Sequence, residues 1–348
     1  MSYYLKNGYV DMRRIISEPY PFIFVIHGRG TGKTYGALDT VIHDEIPFMY
    51  MRRTQVEADL VSSDIFSPFK PIMRDDPSVH IIPQKIPHVK NATAIYNGEQ
   101  DETGNWKAAG APIGYSCALS TVASIRGISL EDVVINVFDE FIPEKNARPL
   151  RSEGDAFLNA YETINRNREL SGRDPLKMLC LSNSNTLASP ILQTMGLMRT
   201  VEKMAATGQE VTKLPQKGVA IYMLRDSPIS AAKQETALYK AIGDANKYSV
   251  MALNNEFESS TWLYVETKPL QEYKPLFVFE DVCIYQHKSR KGEYYVARKI
   301  SGSPPRFIAD KMSVKRMKDK YTGFFNAWIS GRASFQDFYC KYILLKNM

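Results

Sequence analysis

Five apolar runs stand out along the first two thirds of the chain: Phe22–Ile26, Phe48–Met51, Val133–Phe138, Leu176–Leu181 and Gly218–Leu224. Each is short, shows little polar alternation and ends in polar or small residues, the pattern of strands buried on both faces of a parallel sheet. Helix-compatible stretches separate them, at Tyr35–Ile42, Tyr161–Glu169 and about 190–206. The interval 75–120 differs: Val79–Ile82 and Ala94–Tyr96 read as strands, the second running into a turn signal at Asn97-Gly98. This predicts a β-rich insertion inside an α/β core. The core is expected to end near Asp226, giving a first domain over 1–228. A helical linker follows over 229–258. Beyond it, the short runs Trp262–Val265, Leu276–Phe279, Val282–Tyr285 and Tyr294–Ala297 and a helix-like tail from Tyr321 predict a small α+β domain over 259–348.

The loop after the first run carries the chemistry. His27-Gly28-Arg29-Gly30-Thr31-Gly32-Lys33-Thr34 has the spacing G-x-x-x-x-G-K-[ST], with His27 at the first glycine position. Strand, glycine-rich loop and helix start in that order predict a P-loop. Backbone N–H groups of Gly28, Arg29, Gly30, Thr31 and Gly32 would turn toward phosphates, Lys33 would reach the β- and γ-phosphates, and Thr34 would ligate Mg²⁺. Tyr35 follows directly and joins the candidate nucleotide contacts. ATP and Mg²⁺ are therefore the expected substrate and metal.

The third run ends in Asp139-Glu140, a Walker B pattern in which Asp139 would hold Mg²⁺ through water and Glu140 would polarise the attacking water as general base. The fourth run stops at Ser182-Asn183-Ser184-Asn185. In NTPases with an additional central strand between the two Walker strands this position carries a γ-phosphate sensor, for which Asn183 is the first choice. A plain turn is the alternative. The second run ends in Arg52-Arg53 at the expected crevice, and Arg53 is taken as a phosphate or base contact. Arg166 and Arg168, near the start of the fourth run, and Arg126, before the third, are candidates for an arginine finger acting on a neighbouring subunit. Surface salt-bridging is the competing role for them.

The chain has 348 residues, 44% of them hydrophobic, and Lys plus Arg (44) exceed Asp plus Glu (38) by only 6. That excess alone does not require a polyanion. It is concentrated late, where Lys288, Arg290, Lys291, Arg298, Lys299, Arg306, Lys311, Lys315, Arg316, Lys318 and Lys320 are interleaved with Tyr294, Tyr295, Phe307 and Tyr321. Charge with aromatics predicts nucleic-acid contact, unless the aromatics are core. Glu280, Asp281, Glu293 and Asp310 do not make a convincing two-metal nuclease set. The four cysteines are widely spaced, without zinc or disulfide patterning. Neither a signal region nor a membrane-spanning run is apparent, so the protein is expected to stay where it is made, with no membrane partner.

Taken in order, Phe24-Val25-Ile26 with Gly30–Thr34, Tyr50-Met51-Arg52-Arg53, Val137–Lys145, Asn165–Glu169 and Cys180–Asn183 resemble the DNA-packaging ATPases of small phi29-type tailed phages, related to large-terminase ATPases. The resemblance is strong over the first two thirds of the chain and faint beyond. It implies a RecA-like, additional-strand (ASCE) ring ATPase. By the same resemblance the ring would be pentameric and sit at the portal vertex of a prohead in the host cytoplasm, where it would pump double-stranded DNA inward. It also implies that Arg166 is the trans finger and that Arg126 acts at the subunit interface. The C-terminal domain is implied to be ribonuclease-H-like without nuclease carboxylates and to dock on a packaging RNA. A helicase, a P-loop kinase or switch, and a nucleotide-binding scaffold without turnover are the alternatives to a packaging motor.

Overall fold

The apolar runs become the centre of a nine-stranded mixed sheet. Its strands are β1 (Phe22–His27), β2 (Phe48–Arg52), β3 (Ile81–Lys85), β4 (Ala92–Gln100), β5 (Trp106–Ala118), β6 (Ile135–Asp139), β7 (Lys177–Asn183), β8 (Val211–Leu214) and β9 (Val219–Met223). They lie in the order β3-β4-β5-β2-β6-β7-β1-β9-β8. This computed structural model describes residues 2–63, 65–125, 127–143, 150, 152–183, 189–225, 227–242 and 265–347. The chain divides into two compact units, Met1–Phe257 and Glu258–Met348.

Strands β2, β6, β7, β1 and β9 are mutually parallel, with β7 inserted between β6 and β1. Parallel neighbours place their carboxyl ends along one edge, so the loop after β1, Asp139-Glu140 after β6 and Asn183 of β7 are gathered there. The five strands are buried almost throughout, and one continuous core includes Ile23, Val25, Tyr50, Val137, Leu179, Leu181 and Tyr222. A large mixed sheet with this order is consistent with a RecA/ASCE-like ATPase core.

Two local expectations are corrected, and one strand was not expected. Asn97-Gly98 is not the hairpin turn: both residues stay inside β4, paired to Ala109 and Ala108, beside a register shift after Ile95. The reversal comes at Asp101–Asn105, where Asp101 Oδ1 accepts from the Thr103 and Asn105 N–H groups at 2.9 and 3.0 Å and Gly104 takes φ 83°. The carboxyl-terminal part of β5 then pairs with β2 in the main sheet. The helix expected over 190–206 is two helices, Pro190–Thr194 and Met198–Thr207, broken at left-handed Gly196 (φ 64°). Strand β8 at the sheet edge escaped the reading because it is only half-buried.

In the second unit, β10 (Tyr273–Phe279), β11 (Val282–His287), β12 (Tyr294–Ala297), β13 (Arg306–Phe307) and β14 (Ala333–Phe335) form a sheet ordered β13-β10-β11-β12-β14. The helices Lys311–Lys320, Thr322–Ile329 and Phe338–Asn347 contribute Met317, Phe324 and Leu344 to a core with Phe277, Ile284 and Phe335. Of the interleaved aromatics two are core residues and two, Phe307 and Tyr321, are partly buried against the core. Tyr294 and Tyr295 are buried, and Phe277 contacts both Phe307 and Tyr321. Any nucleic-acid contact by this unit therefore rests on charge, not on stacking by these rings. The run at Trp262–Tyr264 and the end of the linker, from 243, lie outside the described residues. The four cysteines are free and buried. Among the described residues no helix is long and apolar enough to cross a membrane.

Candidate nucleotide-binding site

Within the P-loop only Gly30 (φ 65°) and Gly32 (φ 83°) are left-handed, the region that suits glycine. His27 lies outside that region, at the end of β1 and paired with Asn183, so a side chain is tolerated where glycine is usual. Its buried ring is used: Nδ1 accepts the Gly28 N–H at 2.8 Å and Nε2 contacts the Tyr4 hydroxyl at 3.1 Å.

The loop carbonyls are largely committed. Lys33 Nζ donates to the His27 and Gly28 carbonyls at 3.0 and 2.8 Å. Thr31 Oγ1 also donates to the Gly28 carbonyl at 3.0 Å. Lys233 Nζ donates to the Arg29 carbonyl, Val10 N–H to the Thr31 carbonyl at 3.0 Å, and Gly36 N–H to the Gly32 carbonyl at 2.8 Å. Planar peptides hold N–H opposite C=O, so the carbonyls held by Lys233, Val10 and Gly36 leave the Gly30, Gly32 and Lys33 N–H groups on the opposite side for an anion, whereas the Gly28 N–H is given to His27 Nδ1. The helix Lys33–His43 starts here and adds its amino-terminal partial charge.

The loop borders a cavity of about 490 Å³ that also meets Thr34, Tyr35, Asp139, Glu140 and Asn183. Lys33 Nζ lies 3.2 Å from Asn183 Oδ1. Burial, the largest influence, pulls the Lys33 ammonium down from 10.5 to about 7, against the raising pull of Asp139. Thr34 Oγ1 donates to Asp139 Oδ1 at 3.0 Å. A hydroxyl and a carboxylate side by side are hard oxygen donors suited to Mg²⁺. With Lys33 and the glycine-rich loop on the same cavity, the residues fit a nucleoside triphosphate and its magnesium.

Asp139 Oδ2 accepts from the Tyr50 hydroxyl at 3.1 Å and Arg52 Nη1 at 2.9 Å, while Arg52 Nη2 reaches Glu140 Oε2 at 2.5 Å. Glu140 is itself left-handed (φ 58°), a conformation costing a non-glycine residue about 1 kcal/mol. It turns the chain out of β6, and its side chain remains 35% exposed, open to water.

The predicted arginines separate. Side chains alternate along a strand, so Tyr50 and Arg52 face Asp139 while Arg53 points the other way. Arg53 is buried in a bidentate pair with Glu153, at 2.6 and 3.1 Å, and does not line the cavity. The guanidinium on the Asp139 and Glu140 side is Arg52, which meets both carboxylates without itself lining the cavity, and the period-two alternation of β2 was the signal for choosing it. Arg168 is buried and committed to the Asn165, Val133 and Ile164 carbonyls. Arg166 is exposed at the end of the helix Glu153–Asn165 and donates to the Ile128 carbonyl at 2.5 Å. It sits near the amino ends of β6 and β7, about 20 Å along the strands from the P-loop edge. Arg166 is thus out of reach of its own cavity. Arg126 lies outside the described residues. Sequence reading also missed Tyr4, Val10 and Lys233, which meet the loop from distant positions and carry no local motif.

No curated protein sequence matches the chain. Two solved structures align over nearly its whole length. The Phi-28 gp11 DNA packaging motor is 18% identical, with a TM-score of 0.63, covering 98% of this chain and 97% of that one. The bacteriophage Phi-29 viral genome packaging motor assembly is 19% identical, with a TM-score of 0.65, covering 99% and 98%. At those identities the likeness establishes a shared fold. A family profile described as Podovirus DNA encapsidation protein (Gp16) matches residues 105–289, more than half of the chain and including β6 and β7. The chain therefore belongs to the Podovirus DNA encapsidation protein (Gp16) family.

Proposed function

We propose that this protein is an ATP hydrolase that drives double-stranded DNA into a preformed phage capsid. One observation carries the reading: Lys33, Thr34, Asp139, Glu140 and Asn183, from three different strand ends, converge on one cavity bounded by a P-loop. In this reading the loop N–H groups and Lys33 hold the β- and γ-phosphates. Thr34 and Asp139 hold magnesium, which supplies charge neutralisation at the phosphates when bound. Asn183 senses the γ-phosphate, and Glu140 takes a proton from the attacking water. Arg29 and Tyr35, which line the cavity, complete the nucleotide contacts; Gly28, expected among them, gives its N–H to His27 Nδ1 and does not line the cavity.

In the present arrangement Glu140 is hydrogen-bonded to Arg52. A carboxylate held by a guanidinium is a poor base, so Arg52 must release it before hydrolysis. Arg166 cannot reach its own cavity, and a trans role requires a ring of copies. A homopentamer at the portal vertex, with Arg126 at the same interface, is the assembly proposed. Two further proposals are a packaging RNA contacting the basic second unit and a nuclease-inactive, ribonuclease-H-like fold for that unit. Family membership and fold support the packaging reading over a helicase or a passive scaffold.

The test is steady-state ATP hydrolysis with and without double-stranded DNA. Hydrolysis stimulated by duplex DNA and lost in Glu140→Gln supports the reading. Nucleotide binding without turnover under all conditions would leave a scaffold, and separation of forked strands would indicate a helicase.

A further inference from the structure

The helix Ile229–Gln234 begins the segment that follows the last core strand, and it meets the P-loop directly. Its start is fixed to the amino-terminal turn: Ser227 Oγ donates to the Gly8 carbonyl at 3.0 Å. A Cβ added to left-handed Gly8 would lie 2.8 Å from the Ile229 nitrogen, so the two backbones are in close contact. From this footing Lys233 extends to the loop. A Cβ added to Gly30 would lie 3.1 Å from Lys233 Nζ, and the ammonium donates to the Arg29 carbonyl.

We infer that Lys233 is a positioning residue for nucleotide binding, holding the Arg29–Gly30 peptide with its carbonyl outward and the Gly30 N–H free for a phosphate oxygen. This rests on the reading of the cavity as an ATP site. Three features support it. Across a trans peptide the Gly30 N–H points away from the carbonyl that Lys233 holds. Gly30 is left-handed, and such a peptide can turn over at little steric cost, so a loop of this composition needs an outside contact to fix its orientation. The neighbouring carbonyl of Thr31 is fixed by Val10, and those of His27 and Gly28 by Lys33. Arg29 is the loop carbonyl whose restraint comes from beyond the core, 204 residues away in sequence. Lys233 also adds positive charge beside the loop, close enough to act on Lys33. Nucleotide occupancy would therefore be felt by the segment that follows β9.

The experiment measures MgATP affinity of the full chain by titration calorimetry for wild type, Lys233→Met, Lys233→Arg and Lys240→Met. Lys233 is half-buried at the surface, and its removal leaves the core intact. Lys240 is an exposed cation on the next helix, paired with Glu235, and controls for loss of charge in the segment. The expected result is a Kd raised about tenfold in Lys233→Met, the scale of one charge-assisted hydrogen bond. Lys233→Arg should stay within threefold of wild type and Lys240→Met should be unchanged. In turnover, Lys233→Met should raise KM more than it lowers kcat. Lys233→Met binding within twofold of wild type, or an equal loss in Lys240→Met, would overturn the inference. A wild type that binds no ATP would instead overturn the nucleotide-site reading on which it rests.

Discussion

Raising the pH should weaken ATP binding in a way that reports on Lys33. Burial holds its ammonium at about 7 in the free protein, whereas the unfolded chain has 10.5. Phosphates brought against it would favour the charged form and restore an ordinary value. At pH 7.5 about a quarter of the free protein then carries the Lys33 proton, and at pH 9.0 about one hundredth. The bound state keeps the proton across that interval. MgATP affinity should therefore fall roughly 25-fold between these pH values, with uptake of nearly one proton per nucleotide at the upper end. MgATP is already fully ionised in this window and adds little. Stability of the ligand-free protein should move the opposite way. Unfolded Lys33 binds more protons than folded Lys33 between about pH 7 and 10.5, so this residue makes stability rise with pH there. The assay is calorimetry in buffers of different ionisation enthalpy, which separates proton uptake from binding. A flat Kd from pH 7.5 to 9.0 without proton uptake would refute the reasoning.

Other expectations follow from individual contacts. Arg52→Gln removes the cation shared by Asp139 and Glu140; hydrolysis without DNA should rise several-fold and the stimulation by DNA should shrink, and an unchanged stimulation ratio would contradict the restraining role. Arg53→Ala leaves Glu153 buried without its cation and should cost about 3–5 kcal/mol of stability in denaturant unfolding, against an expectation near zero if Arg53 served only the nucleotide. Gly154→Ala would place a Cβ 1.9 Å from Thr194 Oγ1, where the helix Glu153–Asn165 meets Pro190–Thr194. A loss of about 1–3 kcal/mol is expected, and an unchanged melting temperature would show that the contact relaxes freely.

The central strands were legible because burial on both faces writes an unbroken apolar run, as in Phe22–Ile26 and Leu176–Leu181. Where burial is partial the signal fades: Val211–Leu214 shows no run at all, and Gly98 looked like a turn because a glycine beside a bulge carries the same local mark as one in a hairpin. The P-loop and Asp139-Glu140 were legible because their chemistry is local in sequence. Arg52 and Arg53 were not separable by residue type, since both are arginine; only strand alternation decides which one faces Asp139. Arg166 and Arg168 differ in the same manner, one exposed at a helix end and the other spent on buried carbonyls. The contacts of Tyr4, Val10 and Lys233 with the loop depend on long-range packing, and no spacing rule announces them.

The central claim is a ring motor in which one copy completes the site of the next. Its most direct test measures DNA-stimulated ATP hydrolysis by Glu140→Gln, by Arg166→Ala and by their mixture. Each variant alone should be nearly inactive, and mixing should restore part of the stimulated rate because intact cavities then meet intact arginines. Full activity of Arg166→Ala alone, or no recovery in the mixture, would contradict the account.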